Sequence, residues 1–116
     1  MERKNKRTLG GEYEQRAAEY LTQRGLKILE RNYRCRQGEI DLIAKDGSYL
    51  VFVEVKYRSD DSKGDPAEAV GSRKQQHIRE AARFYLYQKR YGEDTPCRFD
   101  VIGILGDHIH WIRDAF

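Results

Sequence analysis

Asp41, Glu54 and Lys56 are residues of this chain whose types and spacing could do chemistry together. Two carboxylates offer hard oxygen ligands of the kind Mg²⁺ or Mn²⁺ takes, with waters and a phosphate completing an octahedron. A lysine beside a metal-held phosphate could orient or deprotonate an attacking water, or steady the negative charge that develops on the phosphorane. The chemistry implied is metal-assisted phosphodiester hydrolysis. The bland alternative is an edge hairpin with a solvated face and a surface Lys–Glu pair, and spacing alone leaves the two even.

Such a site needs a hairpin to bring the residues together. Side chains alternate faces along a strand, so Glu54 and Lys56 point the same way as Leu50 and Phe52. The dipeptide Asp46-Gly47 reads as a two-residue hairpin turn. That turn pairs Lys45 with Ser48, sets Asp41 opposite Phe52 and Glu39 opposite Glu54, and leaves Asp41 diagonal to Glu54. Glu39, Asp41, Glu54 and Lys56 then share one face. Like charges across a ladder are destabilising, and carboxylates on a half-buried face lose hydration, unless a cation reverses both penalties.

The flanking elements follow from periodicity. Tyr13, Ala17, Tyr20 and Leu21 recur at helical spacing, predicting a helix over about 11–24 that stops at Gly25. Strands are predicted over about 27–36, 39–44 and 49–57. A polar loop covers 58–66, and a second helix spans about 67–90 with Ile78, Ala81, Ala82 and Tyr85 as its apolar stripe. Strands near 97–105 and 108–113 close the chain across Gly106-Asp107. The order α-β-β-β-α-β-β predicts a single α+β domain over 1–116, a mixed central sheet flanked by helices, with residues 1–8 a flexible basic tail.

Composition narrows the class. The chain has 116 residues, 22 Lys+Arg against 19 Asp+Glu, and 39% hydrophobic residues, which suits one ordered domain. Its longest apolar run, Tyr49 to Val53, is far too short to span a bilayer. The charged N-terminus is not followed by an apolar signal segment, so a membrane or secreted protein is not expected. Cys35 and Cys97 form no Cys-x-x-Cys pair and read as reduced thiols, which points to the cytoplasm. Net charge runs +5 over 1–36, −4 over 37–72 and +2 over 73–116. An acidic centre between basic flanks suits a metal pocket set in a phosphate-binding surface.

Three segments carry a resemblance. They are Glu14-x-x-Ala17-Ala18-x-Tyr20-Leu21, the run Asn32-Tyr33-Arg34-Cys35-Arg36-x-Gly38-Glu39-Ile40-Asp41-Leu42-Ile43, and Phe52-Val53-Glu54-Val55-Lys56-Tyr57-Arg58. Lys74, Arg98-Phe99-Asp100-Val101 and Asp114-Ala115-Phe116 extend it over nearly the whole chain. The chain resembles the YraN-like family of small bacterial proteins. Its Asp41…Glu54-Val55-Lys56 core resembles the PD-(D/E)xK nuclease superfamily, with Ile40 in place of the proline, and the fold implied is similar to that of archaeal Holliday-junction resolvases. The resemblance implies a restriction-endonuclease-like domain. It implies Asp41 and Glu54 as metal ligands, Lys56 as the catalytic lysine, and Glu14 as an additional acidic residue at the metal. It also implies a symmetric homodimer acting on branched DNA or repair intermediates.

Other residues are candidates for contact with nucleic acid. Arg34, Arg36 and Arg58 bracket the acidic segment and could clamp phosphates, with Tyr33 and Tyr57 interleaved as stacking groups. Lys74 lies in line with the apolar stripe of the second helix, where it could reach a phosphate or snorkel. Asp100 is explained by a structural hydrogen bond or salt bridge, and His108 and His110 as ordinary strand residues. No Gly-rich phosphate loop or nucleophile elbow is present. The function expected is a Mg²⁺-dependent endonuclease acting on DNA, with Mn²⁺ as substitute. Alternatives are a nucleic-acid-binding module on a nuclease fold without hydrolysis, and a protein-interaction domain.

Overall fold

Residues Leu50 to Val53 are apolar on both sides of their strand and are fully buried. A strand of that kind must be covered on both faces, and the architecture follows from that need. The computed structural model describes residues 6–58 and 70–116, with side chains from residue 11 onward. Its elements are α1 (Lys6–Gln23), β1 (Lys27–Cys35), β2 (Gly38–Asp46), β3 (Tyr49–Arg58), α2 (Ser72–Gln88), β4 (Cys97–Leu105) and β5 (His108–Ile112). The fold is α+β in the expected order, with one five-stranded sheet, β1-β2-β3-β4-β5, among the described residues. Strands β1 to β3 form an antiparallel meander. Strand β4 runs parallel to β3, a pairing that requires a crossover, and β5 returns antiparallel.

The helices take opposite faces. Ala17, Ala18 and Leu21 of α1 pack on Leu42, Ala44, Val51, Val53, Ile102 and Ile104. Ile78, Ala81, Ala82 and Tyr85 of α2 pack on Ile40, Ile43, Leu50 and Phe52. The predicted apolar stripe of the second helix is therefore its buried face.

Boundaries differ where one backbone conformation decides them. Helix α1 begins at Lys6 rather than Gly11, because glycine in a helix costs about 1 kcal/mol without forbidding it. Of the expected tail, residues 1–5 lie outside the described residues, and Lys6 to Thr8 belong to α1. Helix α2 begins at Ser72; Val70 and Gly71 are not helical, and the rest of the expected first turn lies outside the described residues. It ends at Gln88 rather than Arg90, because Arg90 takes a left-handed φ of 62°. The N–H groups of Tyr91 and Arg90 then donate to the carbonyls of Leu86 and Tyr87 in a Schellman motif.

The hairpin register also differs. Asp46 pairs with Tyr49 and Leu42 with Val53, so the turn residues are Gly47 and Ser48. Gly47 has a φ of 60°, the setting a type II′ turn needs at its first central position. The register lies one residue from the expected one on each strand. Continued by one step, it would set Asp41 directly across from Glu54 instead of diagonal to it.

Candidate active site

The site lies where β2 and β3 part. Their ladder ends at the pair Leu42–Val53, whereas the β3–β4 ladder continues to Arg58–Leu105. Beyond Val53, β3 is held by β4 on one side and faces a fork on the other. The Val55 N–H points into that fork and donates to Asp41 Oδ2 at 2.8 Å, so a side-chain carboxylate replaces the missing ladder carbonyl.

Asp41 occupies the fork because both β1 and β2 switch faces there. Leu42 is buried under α1 while Ile40, two residues earlier, is buried under α2. On β1, Arg31 hydrogen-bonds Gln15 of α1, whereas Tyr33 packs edge-on to Tyr85 of α2. Residues two apart on a regular strand share a face. The pairs Arg31–Leu42 and Tyr33–Ile40 leave Asn32 across from Asp41 at the switch, and Asn32 has a φ of 53°. The expectation that Glu39, Asp41, Glu54 and Lys56 share one face is therefore corrected. Glu54 and Lys56 keep the face of α2, Asp41 lies in the fork, and Glu39 is exposed and paired with Arg34 at 3.6 Å.

Three carboxyl groups converge on the fork from three layers: Glu14 from α1, Asp41 from the sheet, and Glu54 from the α2 side. Glu14 and Glu54 both hydrogen-bond Asp41. Burial, followed by the charge of Asp41, pushes each glutamate up to about 7. Burial raises Asp41 as well, opposed by the Val55 N–H and the hydrogen bonds from Glu54 and Glu14. Mutual crowding and burial thus favour a shared proton over full ionisation of all three groups, and both glutamates titrate around neutral pH.

Two lysines answer from the α2 side. Lys56 Nζ is 3.8 Å and Lys74 Nζ 3.6 Å from the same oxygen, Glu54 Oε2, whose residue is only 5% exposed. Lys74 therefore reaches the carboxyl cluster. Beside it opens a cleft of about 340 Å³ lined by Arg34, Cys35, Gly38, Glu39, Lys74 and His77. Gly38 packs close to α2 there: a Cβ would lie 3.1 Å from the His77 carbonyl oxygen, a tight contact.

The remaining candidates divide. Arg34 lines the cleft, Arg36 is exposed, and Arg58 is half-buried at the end of β3 beyond Lys56. The two tyrosines are engaged within the protein. Tyr57 stacks on Tyr13 with ring centres 3.9 Å apart, and the Tyr33 hydroxyl hydrogen-bonds Gln88. Two residues escaped the reading of the sequence. An asparagine inside a strand pattern, where the residue type is depleted, is the signal that could have marked Asn32. His77 carried none.

Among the described residues, no three His, Cys, Asp or Glu side chains are arranged as a ready-made ion cage. Mg²⁺ keeps several waters and takes one or two carboxylates plus substrate phosphate rather than a full protein cage. Asp41 and Glu54, with Glu14 beside them, are a donor set of that kind, crowded enough to raise all three carboxyl groups. The residues present fit a hard divalent cation.

The comparisons with known proteins agree with one another. A UPF0102 protein of Lachnoclostridium phytofermentans is 51% identical over 112 residues, covering 97% of this chain and 95% of its own length. UPF0102 proteins of Nitrosococcus oceani and Shewanella baltica are 46% and 50% identical, over 95% and 94% of this chain and 92% and 99% of their own lengths. Described as uncharacterised protein family UPF0102, the matching family model spans residues 13–104, from the start of the α1 stripe almost to the end of β4 and so across every carboxyl group of the fork. With that span matched and such relatives along nearly its full length, the chain belongs to the UPF0102 family, the expected YraN-like membership.

Proposed function

We propose that this protein is a metal-dependent endonuclease acting on DNA, of the PD-(D/E)xK type and similar to the archaeal resolvases, with branched or repair intermediates as substrates. The observation that carries the proposal is the convergence of Glu14, Asp41 and Glu54 in the fork, with Lys56 beside Glu54. In this function Asp41 and Glu54, assisted by Glu14, hold one or two Mg²⁺ ions, for which Mn²⁺ substitutes. An ion so held would polarise the scissile phosphate and offset the charge that builds on it. As ligands, Glu14 and Glu54 would be needed in their ionised form. Lys56 orients the attacking water and steadies the developing negative charge, while Lys74 and Arg34 in the cleft, with Arg36 and Arg58, hold flanking phosphates.

No helix among the described residues is long and apolar enough to cross a membrane, and Cys35 and Cys97 are free thiols. We assign the activity to the cytoplasm, where thiols stay reduced. A four-way junction needs two cuts, so the active form is a homodimer; monomeric elution at working concentration counts against it.

One observation favours a second function, a nucleic-acid-binding module that does not hydrolyse. Lys56 and Lys74 already compensate Glu54, and no ready-made ion cage exists among the described residues. A cleavage assay separates the two. Fluorescent single-strand, duplex, flap and four-way-junction DNA is incubated with wild type and Lys56→Ala in Mg²⁺, Mn²⁺ or EDTA. Metal-dependent cleavage by wild type alone establishes the nuclease. DNA binding without cleavage under any condition establishes the module.

A further inference from the structure

We infer that Asn32 is the positioning residue of the carboxylate site: its left-handed backbone turns Asp41 into the fork, and its side-chain amide holds Glu14 against Asp41. The inference deepens the metal-site proposal above and rests on it for the effect on ion binding.

Three observations carry it. Among the described residues, three non-glycine residues have positive φ. Arg90 and Asp114 lie in turns after α2 and β5, but Asn32 lies within a strand. A left-handed residue inside a strand breaks the ladder's alternation and needs a reason. Asparagine is one of the few side chains that tolerates the setting.

The break also coincides with the site. Arg31 and Leu42 reach the α1 layer, Tyr33 and Ile40 the α2 layer, and Asn32 and Asp41 face each other between them. Without the switch, β2 would continue to alternate and Asp41 would stand on one face of the sheet, unable to meet a residue from each helix layer. With it, Asp41 reaches the Val55 N–H in the sheet plane, Glu14 from one side and Glu54 from the other.

Finally, the Asn32 side chain hydrogen-bonds Glu14, favouring its ionised form. An amide N–H that donates to a carboxylate fixes the carboxylate's direction. Asn32 thus supplies both the backbone turn that aims Asp41 and the donor that aims Glu14. The type of residue is specified twice, once by conformation and once by hydrogen bonding.

Substitutions separate the two parts. Asn32→Gly keeps the left-handed backbone and deletes the amide. Asn32→Asp keeps a residue tolerant of that conformation but sets a carboxylate against Glu14. Asn32→Ala loses both features. The direct readout needs no metal: in ¹⁵N–¹H spectra of the metal-free protein, the Asn32 side-chain amide peak, assigned by its loss in Asn32→Gly, shifts in Glu14→Gln. An unmoved peak overturns the inference.

The second readout is Mn²⁺ affinity by electron paramagnetic resonance, with far-UV circular dichroism confirming that each variant is folded. Asn32→Gly and Asn32→Asp should bind Mn²⁺ roughly 10- to 100-fold more weakly than wild type, the usual effect of losing a ligand-orienting partner. Wild-type affinity in both folded variants overturns the inference. Should wild type itself fail to bind Mn²⁺ while the amide peak moves, the metal-site proposal falls and the placement of Glu14 by Asn32 stands.

Discussion

Two regions of this molecule bury carboxylates, and they do so in opposite ways. On β4, Asp100 is 0% exposed and surrounded by donors. Arg98 gives it Nε at 3.0 Å and Nη2 at 3.1 Å, Trp111 gives Nε1 at 2.9 Å, and the Asp114 N–H lies 2.9 Å away. Arg98 reaches on to Asp46 at 2.9 Å, and the Ala115 N–H donates to the Phe99 carbonyl. Phe116 then stacks on Phe99. This knot ties β2, β4, β5 and the last residues of the chain together. In the fork, by contrast, Glu54 is almost as buried but faces Asp41, and the lysines that answer it stand at 3.6 and 3.8 Å. Burial of a carboxylate therefore does not distinguish the two regions. The balance of donors and acceptors does: Asp100 is met by donors, while Glu14, Asp41 and Glu54 face one another.

The sharpest way to break the comparison is to remove one charge from each region. Lys56→Ala should reduce metal-dependent cleavage by roughly 10²- to 10⁴-fold while leaving the fold intact, as expected for loss of a group that acts on the reacting water. An unchanged rate, with equal thermal melting, would remove Lys56 from the mechanism. Asp100→Ala should instead cost about 1–3 kcal/mol of stability, because it removes the acceptor of the Trp111 Nε1–H and the Asp114 N–H and leaves Arg98 held by Asp46. Under the same conditions Glu54→Gln in metal-free protein should have a small effect, because it removes a crowded carboxyl group from beside Asp41 while the partly exposed Lys56 and Lys74 keep their contact with water. Urea midpoints of both variants decide this, and equal destabilisation would erase the distinction between the regions.

The response to pH sharpens it further. Glu14 and Glu54 lie near 7 in the folded protein and at 4.5 in the unfolded chain. The folded state therefore holds protons that the unfolded chain has released. The stabilisation is complete below 4.5 and is lost as pH rises through about 7, so the melting temperature in EDTA should fall across that window. Asp41→Asn should flatten the fall, and Mg²⁺ should reverse it, because binding requires the ionised form. Melts at four pH values with and without Mg²⁺ provide the check. A melting temperature that rises with pH in EDTA contradicts the assigned charge states.

The smallest effect concerns the surface. Arg34 and Glu39 are 61% and 48% exposed, so Arg34→Ala should change stability by only about 0.5 kcal/mol. In a nucleic-acid complex the same variant should reduce the slope of log affinity against log salt by about one. A full salt titration by fluorescence anisotropy measures that slope, and an unaltered one removes Arg34 from the phosphate contacts.

Much of the architecture was legible because it depends on periodicity. The α2 stripe of Ile78, Ala81, Ala82 and Tyr85 is the buried face, and β4 spans Cys97–Leu105, the range expected for it. Asp41 does meet Glu54, but from the fork and not from the shared face that the expected hairpin gave it. The fork itself was not legible. It depends on a single backbone dihedral at Asn32, and reading faces from a strand assumes an unbroken alternation that this residue ends. The contact of Glu14 with Asp41 depends on the same break; on a regular strand, the α1 and α2 layers would not share a residue.

The unequal lengths of the two ladders on β3 have a consequence for measurement. Past Val53 the strand is anchored by β4 alone, and Val55 turns its N–H away from β4 toward Asp41. Its neighbours Glu54 and Lys56, with amides facing the opposite way, exchange with solvent only when the central pairing opens. The Val55 amide is protected by a carboxylate alone, so its deuterium uptake follows the state of Asp41 rather than the integrity of the sheet. The fold has thereby placed a native reporter inside the fork, one whose exchange rate registers what Asp41 is holding without any label or substrate.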